Sequence, residues 1–267
     1  MKLYNRDYLA GLTQQEEFEF QAIRDKEKEG MKIGRRNLYY QYSLAARNCL
    51  SLFPNNHLDI LDLKSNPNVD SINNGFKKLL SSDTISERDI LNYINQTPAF
   101  HIVGSILRGC HFHFGHHSAY LFPEFPLGTS YKADYLIIGK NSGGHEFVFV
   151  ELENPKGNIT VQDGELGNTF RKGIIQVKDW QRWLQENYIA LSEYFEAQCN
   201  RNETLPKEFI KFDSTRFHYV VVAGTRKDFT DKTYRIAREH KDMEKIHLLH
   251  YENLCDFSSQ ILDEPTY

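Results

Sequence analysis

The period of the hydrophobic pattern changes along this chain, and the changes mark out its elements. KADYLIIG and HEFVFVELE are apolar, strand-like runs on either side of Asn141-Ser-Gly-Gly144, which predicts two strands joined by a tight turn. RFHYVVVAG is a further buried strand, and IHLLHYENL a strand leading into a last helix. CHFHF alternates like a strand, and LFPEFPL does so less cleanly. Leu166, Phe170, Ile174, Val177, Trp180 and Leu184 recur at mostly helical spacing and predict a long helix over GELGNTFRKGIIQVKDWQRWLQEN. TDKTYRIAREHKDME predicts another. Thr84-Ile-Ser-Glu87 has the form of a capping box ahead of the helix SERDILNYINQ. Thr97-Pro98 reads as N-cap and first position of a helix PAFHIVGSILRG. The order helix, hairpin, long helix, strand, helix, strand predicts an α/β fold: a mixed sheet flanked by helices.

The first part of the chain reads differently. RDKEKEGMKIGRRN is a charged, linker-like run with a basic cluster at Lys32, Arg35 and Arg36, and NLYYQYSLAARNCLSLF predicts a helix. LKSNPNVDSINNG is rich in turn residues. A boundary near residues 82–85 follows, with a mainly helical N-terminal region, 1–83, before the α/β unit, 84–267. The chain has 267 residues, 40% hydrophobic and 25% charged, as ordinary folded proteins do. A net charge of −4 excludes a general polycation, so contact with nucleic acid would use a local basic patch. No apolar run is long enough to predict a membrane span, and the N-terminal stretch is too charged for a signal peptide. Cys49, Cys110, Cys199 and Cys255 are scattered, without CxxC pairs, which suits reduced thiols and a cytoplasmic location. Walker A, GxSxG and GxGxxG patterns are absent, so nucleotide-driven and serine-hydrolase mechanisms find no motif here.

The stretch that carries chemistry is VFVELENP, residues 148–155, where an apolar strand ends in two carboxylates at alternate positions. A turn centred between Ser142 and Gly143 sets Asp134 across from Glu151 and Lys132 across from Glu153. Carboxylates that close repel unless a cation lies between them, and ligation by carboxylates and water suits Mg²⁺ or Mn²⁺. On the long helix Lys172, Gln176 and Trp180 share one face, which can present Lys172 and Gln176 to the hairpin.

Asp134, a hairpin, Glu151-x-Glu153 and a helix with Gln176-x-x-x-Trp180 resemble the PD-(D/E)xK nuclease superfamily, and more narrowly the nuclease domain of Shedu anti-phage defence proteins. LNYINQTPAFH, YKADYLIIG, VFVELENP, QVKDWQRWL and the late YVVVAGTR…IHLLHYENL module carry the resemblance over roughly residues 87–258. It implies a restriction-endonuclease-like mixed sheet and metal-dependent cleavage or nicking of DNA in an immune effector that is a homo-oligomer, dimer or tetramer. Asp134 and Glu151 would be metal ligands, and Gln176 would orient water or substrate. The departure is Glu153, which stands where the superfamily usually has lysine. Three explanations compete: Glu153 is a further metal ligand; the lysine has moved to Lys172, Lys132 or Lys156; or the site is weak and serves binding of DNA ends or a partner protein.

Other polar features weigh less. Glu153 paired with Lys132 would be an ordinary surface ion pair. Glu87 and Asp89 suit a helix N-terminus, and Glu124 is a candidate supporting acid. Arg226, in a tight turn after a strand, is a candidate phosphate contact together with Lys132 and Lys156. His111, His113, His116 and His117 lack the second ligand pair that a zinc site needs, and read instead as strand histidines near a phosphate-binding surface.

Overall fold

Five strands form one open sheet in the order β1 (Ser118–Leu127), β2 (Tyr131–Asn141), β3 (Gly144–Leu152), β4 (Phe217–Val222) and β5 (Ile246–Leu249). The computed structural model describes residues 2–29 and 37–267, so the basic cluster Lys32, Arg35 and Arg36 lies outside the described residues. β1, β2 and β3 form an antiparallel meander, while β3, β4 and β5 run parallel. The predicted hairpin register holds from Asn141 opposite Gly144 to Tyr135 opposite Val150. Gly144 has φ 116°, which only glycine adopts without strain, so the turn residue fixes the register.

Each face of the sheet has its own core. Tyr135, Ile137, Val148, Val150, Leu152, Val220 and Val222 face the short helices α3 (Ile60–Ser65), α4 (Val69–Leu80), α5 (Glu87–Gln96), α6 (His101–Gly104), α7 (Ile106–Gly109) and the last helix, α11 (Tyr251–Gln260). Leu136, Ile138, Phe147, Phe149, Tyr219 and Val221 face α8 (Asn168–Asn187) and α9 (Ile189–Gln198). These strands are apolar on both faces because both faces are covered. α10 (Asp231–Glu244) packs beside β5. The N-terminal helices α1 (Gln14–Glu29) and α2 (Leu44–Cys49) form a small cluster through Phe20, Ile23, Tyr42 and Ala46. Leu63, Phe76 and Leu80 join the core beneath α11. Among the described residues, no helix is long and apolar enough to cross a membrane.

Five local expectations need correction. The capping box uses Ser86 and Asp89, not Thr84 and Glu87: Ser86 Oγ accepts from the Asp89 amide while Asp89 accepts from the Ser86 amide at 2.9 Å. Thr97 closes α5 rather than opening the next helix. That next helix breaks into α6 and α7 at Ser105, whose hydroxyl bonds back to the Ile102 carbonyl at 2.9 Å. CHFHF is not a strand: His111 takes φ 56°, which breaks extension, and Phe112 and Phe114 stack together on His218. In the N-terminal region the predicted helix shrinks to α2, opened where Ser43 Oγ accepts from Ala46 N.

Candidate functional site

The hairpin ladder stops at Tyr135–Val150, and the polar site begins where it stops. Asp134 and Glu151 do not form a further ladder pair. Instead Asp134 Oδ2 accepts the Leu152 amide at 2.7 Å, so a side chain does the work a backbone carbonyl would have done. On the other side of β2 the pairing also skips a row, between Pro123–Tyr135 and Phe125–Ala133. Glu124 lies in that gap with φ 48°, a left-handed conformation that costs a non-glycine residue energy. The strands part here, at the end of β2 and β3.

Glu151 and Glu153 then project on the α8 side at the end of β3. Both are nearly closed off, at 5% and 2% exposure. Glu151 Oε2 and Glu153 Oε1 are buried without a hydrogen-bond partner. Burial, then Asp134, Glu153 and Glu87, push Glu151 up to a pKa of about 10. Burial, opposed by the Leu152 amide and reinforced by Glu87 and Glu153, lifts Asp134 to about 7. Burial raises Glu153 too, while Lys172 opposes it. Like charges packed in low dielectric resist ionisation together.

Lys172 Nζ donates to Glu153 Oε2 at 2.9 Å. It reaches because α8 comes close to the sheet at Gly173, where an added Cβ would lie 2.5 Å from Val221 and 3.3 Å from Glu153. Gln176, one turn on, is half-buried and makes no side-chain hydrogen bond among the described residues. So Asp134, Glu151, Glu153 and Lys172 are brought together, with Gln176 on the same helix face. The other three basic candidates are held elsewhere. Lys132 pairs with Glu124 at 2.5 Å, not with Glu153, because the ladder has ended before that row. Lys156 Nζ bonds the Leu80 carbonyl at the end of α4 at 3.0 Å. Arg226 is paired with Asp256, and its amide donates to Glu252 at 2.9 Å.

Two residues escaped the sequence reading. Glu87, freed from the expected cap, is half-buried as the first residue of α5 and raises the pKa of Asp134, Glu151 and Glu153. The signal was present as a second cap pattern, Ser86-x-x-Asp89. Tyr251, fully buried, donates from its hydroxyl to the Glu153 carbonyl at 2.7 Å; no short-range pattern points to a contact so distant in sequence. Among the described residues no three histidine, cysteine or carboxylate side chains stand ready as a metal cage. The histidine cluster likewise gathers no such set.

Residues 84–255 match the family described as Shedu protein SduA, C-terminal. The chain belongs to the Shedu SduA family. That match spans more than half of the chain and contains every residue of the carboxylate site: Glu87, Asp134, Glu151, Glu153, Lys172, Gln176 and Tyr251. The family suggests a role in anti-phage defence. No curated protein matches the sequence.

Proposed function

We propose that this Shedu family chain is a metal-dependent DNA endonuclease or nickase acting in anti-phage defence, with its site at the parted end of the β2–β3 hairpin. The observation that carries the reading is the pair of buried carboxylate oxygens, Glu151 Oε2 and Glu153 Oε1, that have no partner beside Asp134. Buried acceptors without donors are costly, and a hard cation is the partner that suits several carboxylates at once. Asp134, Glu151 and Glu153 would hold Mg²⁺ or Mn²⁺, with Glu87 as a nearby acid. A divalent cation held there would supply Lewis acidity, lowering the pKa of a water and offsetting charge on the phosphate.

The chain's own groups do the remaining work. Asp134 holds the Leu152 amide with one oxygen and leaves the other for a ligand. Tyr251 fixes the backbone that carries Glu153. Lys172, on the helix rather than the strand, is the cation nearest the position where a lysine is missing. On substrate binding it would exchange Glu153 for a phosphate oxygen, and Gln176 would orient water or substrate. Arg88 and Arg171, both exposed and without an ion-pair partner among the described residues, adjoin Glu87 and Lys172 in sequence and would be free to meet DNA phosphates, whereas Lys132, Lys156 and Arg226 are held by partners within the chain. A homo-oligomeric assembly belongs to the same proposal.

A second reading is favoured by the lack of a ready three-donor cage among the described residues and by the Lys172–Glu153 pair: a module that binds DNA ends or a partner protein without cutting. Supercoiled plasmid with Mg²⁺ or Mn²⁺ separates the two. Nicking by wild type that disappears in Asp134→Ala and Glu151→Ala supports the nuclease. Nicking that persists in both variants removes this site assignment. No nicking with either metal, together with a mobility shift on linear DNA, favours the binding module.

A further inference from the structure

The far end of the same hairpin carries a second polar row. Ser118 is opposite Lys140 across β1 and β2, and Lys140 is opposite His145 across β2 and β3. Side chains in one cross-strand row project to one face. The row therefore sets a hydroxyl, an ammonium and an imidazole side by side, on the face that carries Tyr120, Ile138 and Phe147. His117 is tied to the row, its amide donating to the Lys140 carbonyl at 3.2 Å.

These groups line a cleft of about 340 Å³, a size that suits one small molecule. Two polar atoms of the row are poorly partnered. His145 is 2% exposed; its Nδ1 faces Glu208 Oε1 at 3.8 Å, too long for a hydrogen bond, and burial lowers its pKa to about 4, so it meets the cleft as a neutral imidazole. Ser118 Oγ is buried and, beside the Tyr120 side chain, makes no hydrogen bond of ordinary geometry. The Lys140 ammonium makes no hydrogen bond or ion pair among the described residues. The opposite wall comes from the N-terminal region, with Tyr39, Arg47 and His57. Arg47 is already paired with Asp59 at 2.5 Å, which leaves Lys140, His117 and His145 as the donors for an incoming anion. Among the described residues Glu203 is the one carboxylate on the lining, and it is exposed. A carboxylate beside the Lys140 ammonium accepts hydroxyl groups and repels a second phosphate. Tyr39, half-buried, offers an aromatic face.

We propose that this cleft binds a small phosphate-bearing ligand, a nucleoside monophosphate, with the phosphate on the Ser118–Lys140–His145 row and His117, the sugar hydroxyls toward Glu203, and the base against Tyr39. The site is about 20 Å from the carboxylates, six residues along β2 from Asp134 to Lys140. It touches both the residues before 84 and the family-matched region, so binding there favours the docked arrangement of the two. The proposal does not depend on nuclease activity, and its test is a binding measurement.

Isothermal titration of the full chain uses AMP, GMP, CMP and UMP, with adenosine and inorganic phosphate as separate arms. The expected result is saturable binding of at least one mononucleotide, none of adenosine, and a loss of about tenfold or more in affinity in Lys140→Ala. His117→Ala, another exposed position, is the second variant and weakens binding in the same direction. Phosphate that binds as tightly as the mononucleotides supports the phosphate site and overturns the nucleoside contacts. No binding of any mononucleotide or of phosphate overturns the proposal, as does affinity unchanged in both variants.

Discussion

The two ends of the β2–β3 hairpin solve the same problem in opposite ways. At the turn end Lys140 and His145 oppose each other in an intact ladder, and the row is built of donors. At the open end the ladder has broken, Asp134 has replaced a backbone acceptor, and the row is built of acids that depress one another's ionisation. The exposed ammonium of Lys140 waits in water at little cost, whereas Glu151, at 5% exposure, waits as a protonated acid. A hairpin therefore keeps an unpaired polar group at little cost where it is wet and at a high cost where it is dry. The expensive end is the stronger indication of a ligand, because strongly perturbed carboxyls and local strain cluster at functional sites.

The largest test of this contrast is loss of activity. Glu151→Gln keeps the shape of the side chain and removes its charge. Plasmid nicking in Mg²⁺ is expected to fall roughly 100-fold or more, as loss of a metal ligand removes a few kcal/mol of transition-state stabilisation. Lys172→Ala comes next, with a fall of about tenfold or more, while Lys132→Ala, which breaks only an exposed pair with Glu124, stays within about twofold. Equal losses in the two lysine variants would remove the assignment of Lys172 as the displaced cation.

Stability should move in the other direction. The unfolded carboxyls of Asp134 and Glu151 lose their protons near 3.8 and 4.5, whereas the folded ones hold them to about 7 and about 10. The folded state then binds more protons, so stability of the metal-free protein falls as pH rises across those windows. Thermal melts in EDTA between pH 5 and pH 9 should show a decline in Tm. Glu151→Gln should flatten that decline and raise Tm at pH 8 by something on the order of 5 °C. Lys140→Ala at the donor end should change stability by no more than about 0.5 kcal/mol. A Glu151→Gln protein that melts below wild type at pH 8 would mean the acid end is not strained.

The sequence made the sheet legible because two periodicities, a glycine turn and long apolar runs are local signals. The hairpin register followed from Asn141-Ser-Gly-Gly144 alone. What escaped was decided by contacts distant in sequence or by competition between equally good local patterns. Thr84-x-x-Glu87 and Ser86-x-x-Asp89 are both capping boxes on paper, and Ser86 prevails with Ile85 buried in the core. That choice moves Glu87 from a cap to the acid cluster. The parting of the strands at Asp134 depends on Glu124 in β1, which hairpin counting between β2 and β3 does not consult. The carboxylate positions were thus readable, whereas their partners were not: Lys172 reaches Glu153 only because Gly173 lets α8 descend onto Val221.

The smallest expected effect is also the most selective. Tyr251→Phe removes one hydroxyl from a fully buried ring and leaves the Glu153 carbonyl without that donor. The cost in stability is about 1 kcal/mol, a drop in Tm of roughly 2–4 °C. Because Tyr251 acts on the backbone that carries Glu153 and not on DNA, kcat for nicking should fall by less than about tenfold while KM for plasmid stays level. Mononucleotide binding at the Lys140 end should not change, since the intact ladder from Tyr135 to Asn141 separates the two rows. A variant that raised KM and spared kcat would place Tyr251 in substrate binding. One that weakened both ends together would show that the hairpin loosens as a whole, and the contrast between its ends would then be a property of the crowded sheet, not of two separately built sites.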